Sequence, residues 1–160
     1  GRTRAQMYKG EADWTKIAEV KNNQRMTIPV FGNGDVNSPE KARIMRDDYG
    51  LDGAMIGRAS IGNPWFFRQV KEYLETKKTI CQPSLEQRID TAKRHLLMAI
   101  KWKGERLGLL ETRRHYSNYF RGIANFKPFR TRLVTGETTQ EVMTVFDELE
   151  EIKTHLEVIA

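Results

Sequence analysis

Apolar residues recur at helical spacing on either side of two short apolar runs, and that alternation sets the expected order of elements. Asp13 stands as an N-cap ahead of Trp14, Ile17, Ala18 and Val20, a helix expected to end near Asn22 and Asn23. Residues 28–31, IPVF, read as a strand, with Pro29 near its start where a missing N–H is tolerated. After the turn GNGD, Ser38 as N-cap, Pro39 at the first helical position and Gly50 as a stop mark a second helix. Residues 53–57, GAMIG, predict a second strand, and a helix over 64–76 follows. A helix–strand–helix–strand–helix order calls for parallel strands with right-handed crossovers.

Beyond the polar stretch KKTICQP the strand signal disappears. Ser84 and Gln87 form a capping-box pattern after Pro83, and Ile89, Ala92, Leu96, Leu97, Ala99 and Ile100 continue at helical spacing to an end near Gly104–Gly108. Further helices are expected over 109–123 and 127–134, with a last one from Thr138 or Thr139 almost to the end. The expected division is therefore an α/β part over 1–80 and an all-α part over 81–160.

With 160 residues and 39% hydrophobic content, the chain can bury one core or two small ones. No long apolar run suggests a membrane span or a signal-peptide core. A single cysteine, Cys81, rules out an internal disulfide and, with His95, His115 and His155 scattered, no metal site is expected; the cysteine usage fits a reducing cytoplasm. The net charge of +6 is unevenly spread: +2 over residues 1–75, +10 over 76–136 and −6 over 137–160. A basic middle of that size suits a polyanion, nucleic acid being the commonest, although solvated helix faces give the same count.

Each short strand runs into a glycine turn and a helix start. Such a turn lets backbone approach a ligand closely, and the N–H groups of the next helix start face an anion. In a (β/α)8 barrel the loops after the last two strands commonly form a phosphate site. Gly57 and Arg58 in IGRASIGNPWFF would supply backbone N–H groups and a guanidinium fork, while Gly32 and Gly34 allow tight passage and Asn33 and Asp35 cap or contact the ligand. Plain turns and caps remain the other reading of the same pattern. Two strands cannot close a barrel, which takes about 250 residues. A small self-sufficient α/β unit and the C-terminal piece of a longer protein are both open, and the opening GRTRAQMYKGEADW, without an initiator Met, favours the second.

Taken in order, GRTRAQMYKGEADWTKIAEVK, IPVFGNGDVNSPEKA and DGAMIGRASIGNPWFFRQV closely resemble the second half of the bacterial tRNA-dihydrouridine synthases, in the nitrogen-regulation-like subgroup. RRHYSNYFRGIANFKPFRTRL is similar to that family's helical tRNA-binding domain. The resemblance covers essentially the whole chain. It implies the last strands and helices of an FMN-binding TIM barrel followed by a helical-bundle tRNA-binding domain. It also implies reduction of a tRNA uridine to 5,6-dihydrouridine, with NADPH as the hydride source, in the cytoplasm. By position it assigns Asn33, Gly34, Asp35, Gly57 and Arg58 to the flavin phosphate, and Arg2 and Arg4 to a loop near flavin and substrate. The family's catalytic cysteine and a flavin-contacting lysine belong to the first half of the barrel. No catalytic residue is therefore assigned here, Cys81 is given no role, and the chain alone is expected to be inactive. The missing half is an expected partner, since a partial barrel exposes strand edges and inner faces and is expected to associate without it.

Independently of the resemblance, Arg113, Arg114, Arg121, Lys127, Arg130 and Arg132 lie close together, interleaved with His115, Tyr116, Tyr119, Phe120, Phe126 and Phe129. Guanidinium forks suit phosphates and aromatic rings suit exposed bases, so a folded RNA is the expected ligand. Tyr116, Phe120 and Ile123 share a helical face, which puts half or more of the aromatics in the core. His115 is expected to position rather than catalyse, and the acidic stretch FDELEEIKTHLE to form an outer helix turned from RNA. Two other readings stay open: a freestanding helical RNA-binding module, and a different phosphate-binding TIM-barrel enzyme.

Overall fold

The structure, a computed structural model, describes residues 5, 7 and 9–153. It is mostly helical, with one small parallel sheet. The chain divides into two units. The first runs to Ser60 and resumes over Pro64–Cys81, and the second comprises Ile61–Asn63 and the chain from Gln82 onward.

In the first unit α1 is Thr15–Lys21, β1 Phe31–Asn33, α2 Pro39–Asp47, β2 Gly53–Met55 and α3 Phe66–Thr76, with a 3-10 turn at Arg58–Ser60 before α3. The N-cap of α1 is Trp14 rather than the expected Asp13, which lies one residue earlier and accepts from the Thr15 N–H at 2.9 Å; Asn22 closes the helix. β1 begins three residues later than the apolar run suggests. Pro29 has no N–H, and Val30 exchanges its N–H and C=O with the Asp52 carboxylate and N–H at 2.7 and 3.1 Å, so ladder pairing starts at Phe31. β1 and β2 are parallel, with Gly32 opposite Ala54. Ser38 caps α2 by accepting from the Lys41 N–H, ahead of Pro39, as the sequence predicts. α2 packs on the sheet where Gly32 makes room: a Cβ there would lie 2.3 Å from the Met45 sulfur. Met45 and Leu51 are buried at the centre of this core, each contributing roughly 1.5–3 kcal/mol of apolar burial. Elsewhere on the sheet Phe31 and Met55 are more than half exposed.

In the second unit α4 is Leu85–Lys103, α5 Glu105–Tyr119, α6 Lys127–Thr135 and α7 Thr139–Ile152. The capping box at Ser84 and Gln87 is formed in both directions. Gly104 alone joins α4 to α5, so α5 starts well before residue 109, and Gly108 lies inside it against the backbone of Ile100. α7 is not simply an outer acidic helix. Val142, Val145, Phe146 and Leu149 are fully buried, because they recur at helical spacing on its apolar side. Its acids neutralise basic helices: Lys93 bonds Asp147 and Glu150, both at 2.8 Å, and Arg132 pairs with Glu148.

Candidate functional site

In the first unit the two glycine turns meet through one carboxylate. Asp35, in a left-handed conformation at φ 53°, accepts from the Ala12 N–H at 2.8 Å and from Arg58 at 3.0 Å. Gly34, at φ 117°, accepts at its carbonyl oxygen from the Trp14 indole N–H, 2.9 Å away, and a Cβ on it would lie 2.6 Å from the Ala12 methyl. The GNGD turn is therefore clamped against the segment before α1, which requires glycine at 34. Arg58 itself lies at the surface, its side chain 59% exposed, while Asp35 is sheltered beneath it.

The second turn is open where the first is closed. Ser60 folds back on Gly57, both its N–H and its hydroxyl donating to the Gly57 carbonyl, at 3.0 and 2.8 Å. A Cβ at Gly57 would meet no atom of the described residues within 4 Å. That leaves space beside an oriented guanidinium, which suits an anionic group approaching the backbone. Asn33 is exposed at the end of β1, opposite Met55. Arg2 and Arg4 lie outside the described residues.

In the second unit the basic residues separate into two sets. Arg114, Arg121, Lys127 and Arg130 are exposed. Arg113 is half-buried, donating to the Gly136 carbonyl at 2.9 Å, and Arg132 is engaged by Glu148. Most of the interleaved aromatics are core: Tyr116, Tyr119, Phe120 and Phe126 are buried, with Phe120 and Phe126 rings 4.7 Å apart. The accessible ring is one that the sequence pattern passes over, Trp102 near the end of α4, which is 82% exposed. Its only sequence signal is a large aromatic on the polar side of a lysine-flanked helix end.

His115 holds the backbone of the Ile61–Asn63 segment. The Gly62 N–H donates to its Nδ1 at 3.0 Å, and the Asn118 amide donates to the Ile61 carbonyl at 2.8 Å. Gly62 sits at φ 62°, where a Cβ would lie 2.3 Å from the His115 carbonyl oxygen. With Nδ1 accepting, the neutral ring carries its proton on Nε2. The Arg114 Nε–H also donates toward Nε2 at 3.3 Å; a neutral ring accepts at one nitrogen only, so the Gly62 and Arg114 bonds belong to opposite tautomers. Burial, then His95 and Arg114 nearby, lowers the His115 pKa to about 4, and burial and Arg114 lower that of His95. An unfolded histidine takes up a proton near pH 6.5, which folded His115 does not until about 4, so stability falls as pH falls through that window. Thermal midpoints at pH 7 and pH 5 should thus differ more for the native chain than for H115N, whose amide oxygen can accept from Gly62 but does not titrate. Equal differences would show that His115 does not carry the effect.

The sequence matches the dihydrouridine synthase (Dus) family over residues 1–157. The chain belongs to the dihydrouridine synthase family. It is 40% identical over 140 residues to a tRNA-dihydrouridine synthase B from Pseudomonas putida, covering 88% of this chain and 41% of that protein. A tRNA-dihydrouridine synthase B from Shewanella oneidensis is 37% identical over 153 residues, 93% of this chain and 47% of its own length. A probable tRNA-dihydrouridine synthase from Rickettsia conorii is 37% identical over 130 residues, 81% and 39% of the two chains. The chain thus spans less than half the length of these curated relatives. No helix of the described residues is long and apolar enough to cross a membrane, and they contain no cluster of metal-ligating side chains.

Proposed function

We propose that this chain is the C-terminal portion of a flavin-dependent tRNA-dihydrouridine synthase, made of the last strands and helices of a (β/α)8 barrel (1–80) and a helical tRNA-binding domain (81–160). The observation that carries the reading is the Asp35–Arg58 bond, which joins the two strand-end turns in the first unit. In a barrel those turns follow consecutive strands at the mouth where phosphates bind.

The residues fit the phosphate tail of FMN. Asp35 orients Arg58 toward solvent, Gly57 leaves backbone room, and Gly34 and Asn33 shape the first turn. When bound, FMN supplies the hydride for uracil reduction, with NADPH as the reductant that renews it. This chain's own part is to anchor the cofactor and present tRNA to it. The general acid would come from the first half of the barrel, so these 160 residues alone should not turn over. The exposed Phe31 and Met55 on the sheet suit cover by the neighbouring strands of that half.

The test is flavin retention in the protein of the relatives' length. It should purify yellow, and R58A should weaken FMN binding roughly tenfold or more, the scale of one charge-assisted phosphate contact, with little change in thermal midpoint without flavin. A colourless protein that fails to bind added FMN would overturn the reading in favour of a freestanding RNA-binding module or a barrel acting on another phosphate.

A further inference from the structure

Between α4 and α5 the second unit carries an open cavity of about 250 Å³, lined by His95, Met98, Trp102, Lys103, Arg114 and His115 among others. We propose that it receives one unpaired base of an RNA, stacked on Trp102, with the adjoining phosphate held by Arg114. This rests on the RNA-binding reading above and assigns it a specific subsite.

Three of the lining side chains, His95, Trp102 and His115, offer flat π-surfaces. The His95 and His115 rings meet edge to face at 4.6 Å, and Trp102, two helical turns beyond His95, is exposed at the rim. Both imidazoles are neutral at physiological pH, since burial and Arg114 oppose their protonation, so they present rings rather than charges. His95 is fixed by the Tyr119 hydroxyl, 3.1 Å from its Nδ1, and His115 by the Gly62 N–H. A preordered slot loses little entropy when a planar group enters. Its volume lies below the roughly 300–1,000 Å³ of pockets that enclose drug-sized ligands, which favours a single ring system over a peptide.

The charge around it is positive. Arg114 is exposed beside His115, and Arg94 and Lys101 are exposed on the same helix as Met98 and Trp102. The acid in the lining, Glu111, is neutralised by Lys103. Cations beside stacking rings form the usual combination for unpaired nucleic acid, and stacking tolerates any base. Leu107 and Leu110 are exposed on α5 but are absent from the cavity lining, so the slot itself lacks the aliphatic character of a helix-binding groove.

The experiment measures binding of a tRNA transcript, and of a fully paired RNA duplex, to the relatives-length protein and its W102A and W102F variants. W102A should weaken tRNA binding about tenfold, W102F should recover most of it, and the duplex should bind all three alike. Trp102 fluorescence should be quenched by tRNA in the native protein, with that component absent in W102F. If native protein binds tRNA and W102A binds equally, the subsite is wrong while the RNA-binding reading stands. If native protein binds no tRNA, the reading itself fails. If W102A instead abolishes self-association or loses folded content by circular dichroism with tRNA affinity per folded molecule unchanged, the groove is an interface between copies or a structural contact, and the proposal is overturned.

Discussion

Replacing Gly108 with alanine is expected to destabilise the helical unit, against the ordinary direction of helix propensity. Inside an exposed helix that change stabilises by about 1 kcal/mol. Gly108, however, is buried in α5 where α5 crosses α4, and a Cβ would lie 2.7 Å from the Cα, N and Cγ1 of Ile100. Two of those atoms are backbone, so no rotamer change relieves the clash; the helices must separate. Separation loosens contacts around buried Leu96 and Leu109 on the two helices. Overpacking of this kind costs roughly 1–3 kcal/mol and, against rigid backbone, about 2–3, which leaves G108A less stable by about 1–2 kcal/mol after propensity, and G108V by about 3 or more. S117A, at an exposed position of the same helix, should stay within about 0.5 kcal/mol of the native chain. Urea unfolding followed by far-UV circular dichroism decides the matter, and a G108A chain as stable as the native one would mean that the helices do not pass this closely.

Gly108 also marks where sequence reasoning stops. A glycine pair at 104 and 108 after a long apolar pattern reads as a helix end, and Gly104 is one. Gly108 is instead a helix-interior glycine selected by the proximity of another helix, and proximity across the hairpin has no local signature. The caps at Ser38, Ser84 and Thr138 are legible for the opposite reason: each acts within four residues of itself. β1 begins later than its apolar run because Asp52, more than twenty residues away, takes the Val30 N–H. The glycine turns were legible as candidate anion sites, but the Asp35–Arg58 bond that joins them was not, since a carboxylate in a turn reads equally well as a cap or a ligand contact. Likewise the arginine cluster was visible while its division was not: Arg113 and Arg132 differ from their neighbours only in what they meet in space, Gly136 and Glu148.

That division carries the largest effect expected on RNA. Reversing Arg114, Arg121, Lys127 and Arg130 to glutamate together should reduce tRNA affinity of the relatives-length protein on the order of a hundredfold or more at low salt. It should also flatten the dependence of log K on log salt by about 3, since each lost phosphate contact removes roughly 0.7–0.9. All four side chains are exposed, so the folded content should be retained. R113A and R132A should show the complementary pattern. Arg113 donates to the Gly136 carbonyl between α6 and α7, and Arg132 joins the same two helices through Glu148. Losing either should lower the thermal midpoint with a much smaller change in salt slope, R132A least, because exposed ion pairs contribute under about 1 kcal/mol. Filter binding across a salt series, run beside thermal melts, separates the two behaviours. An unchanged slope in the fourfold variant would remove the exposed cations of α5, α6 and the turn between them from RNA binding, because counterion release depends on contacts made and not on net charge alone.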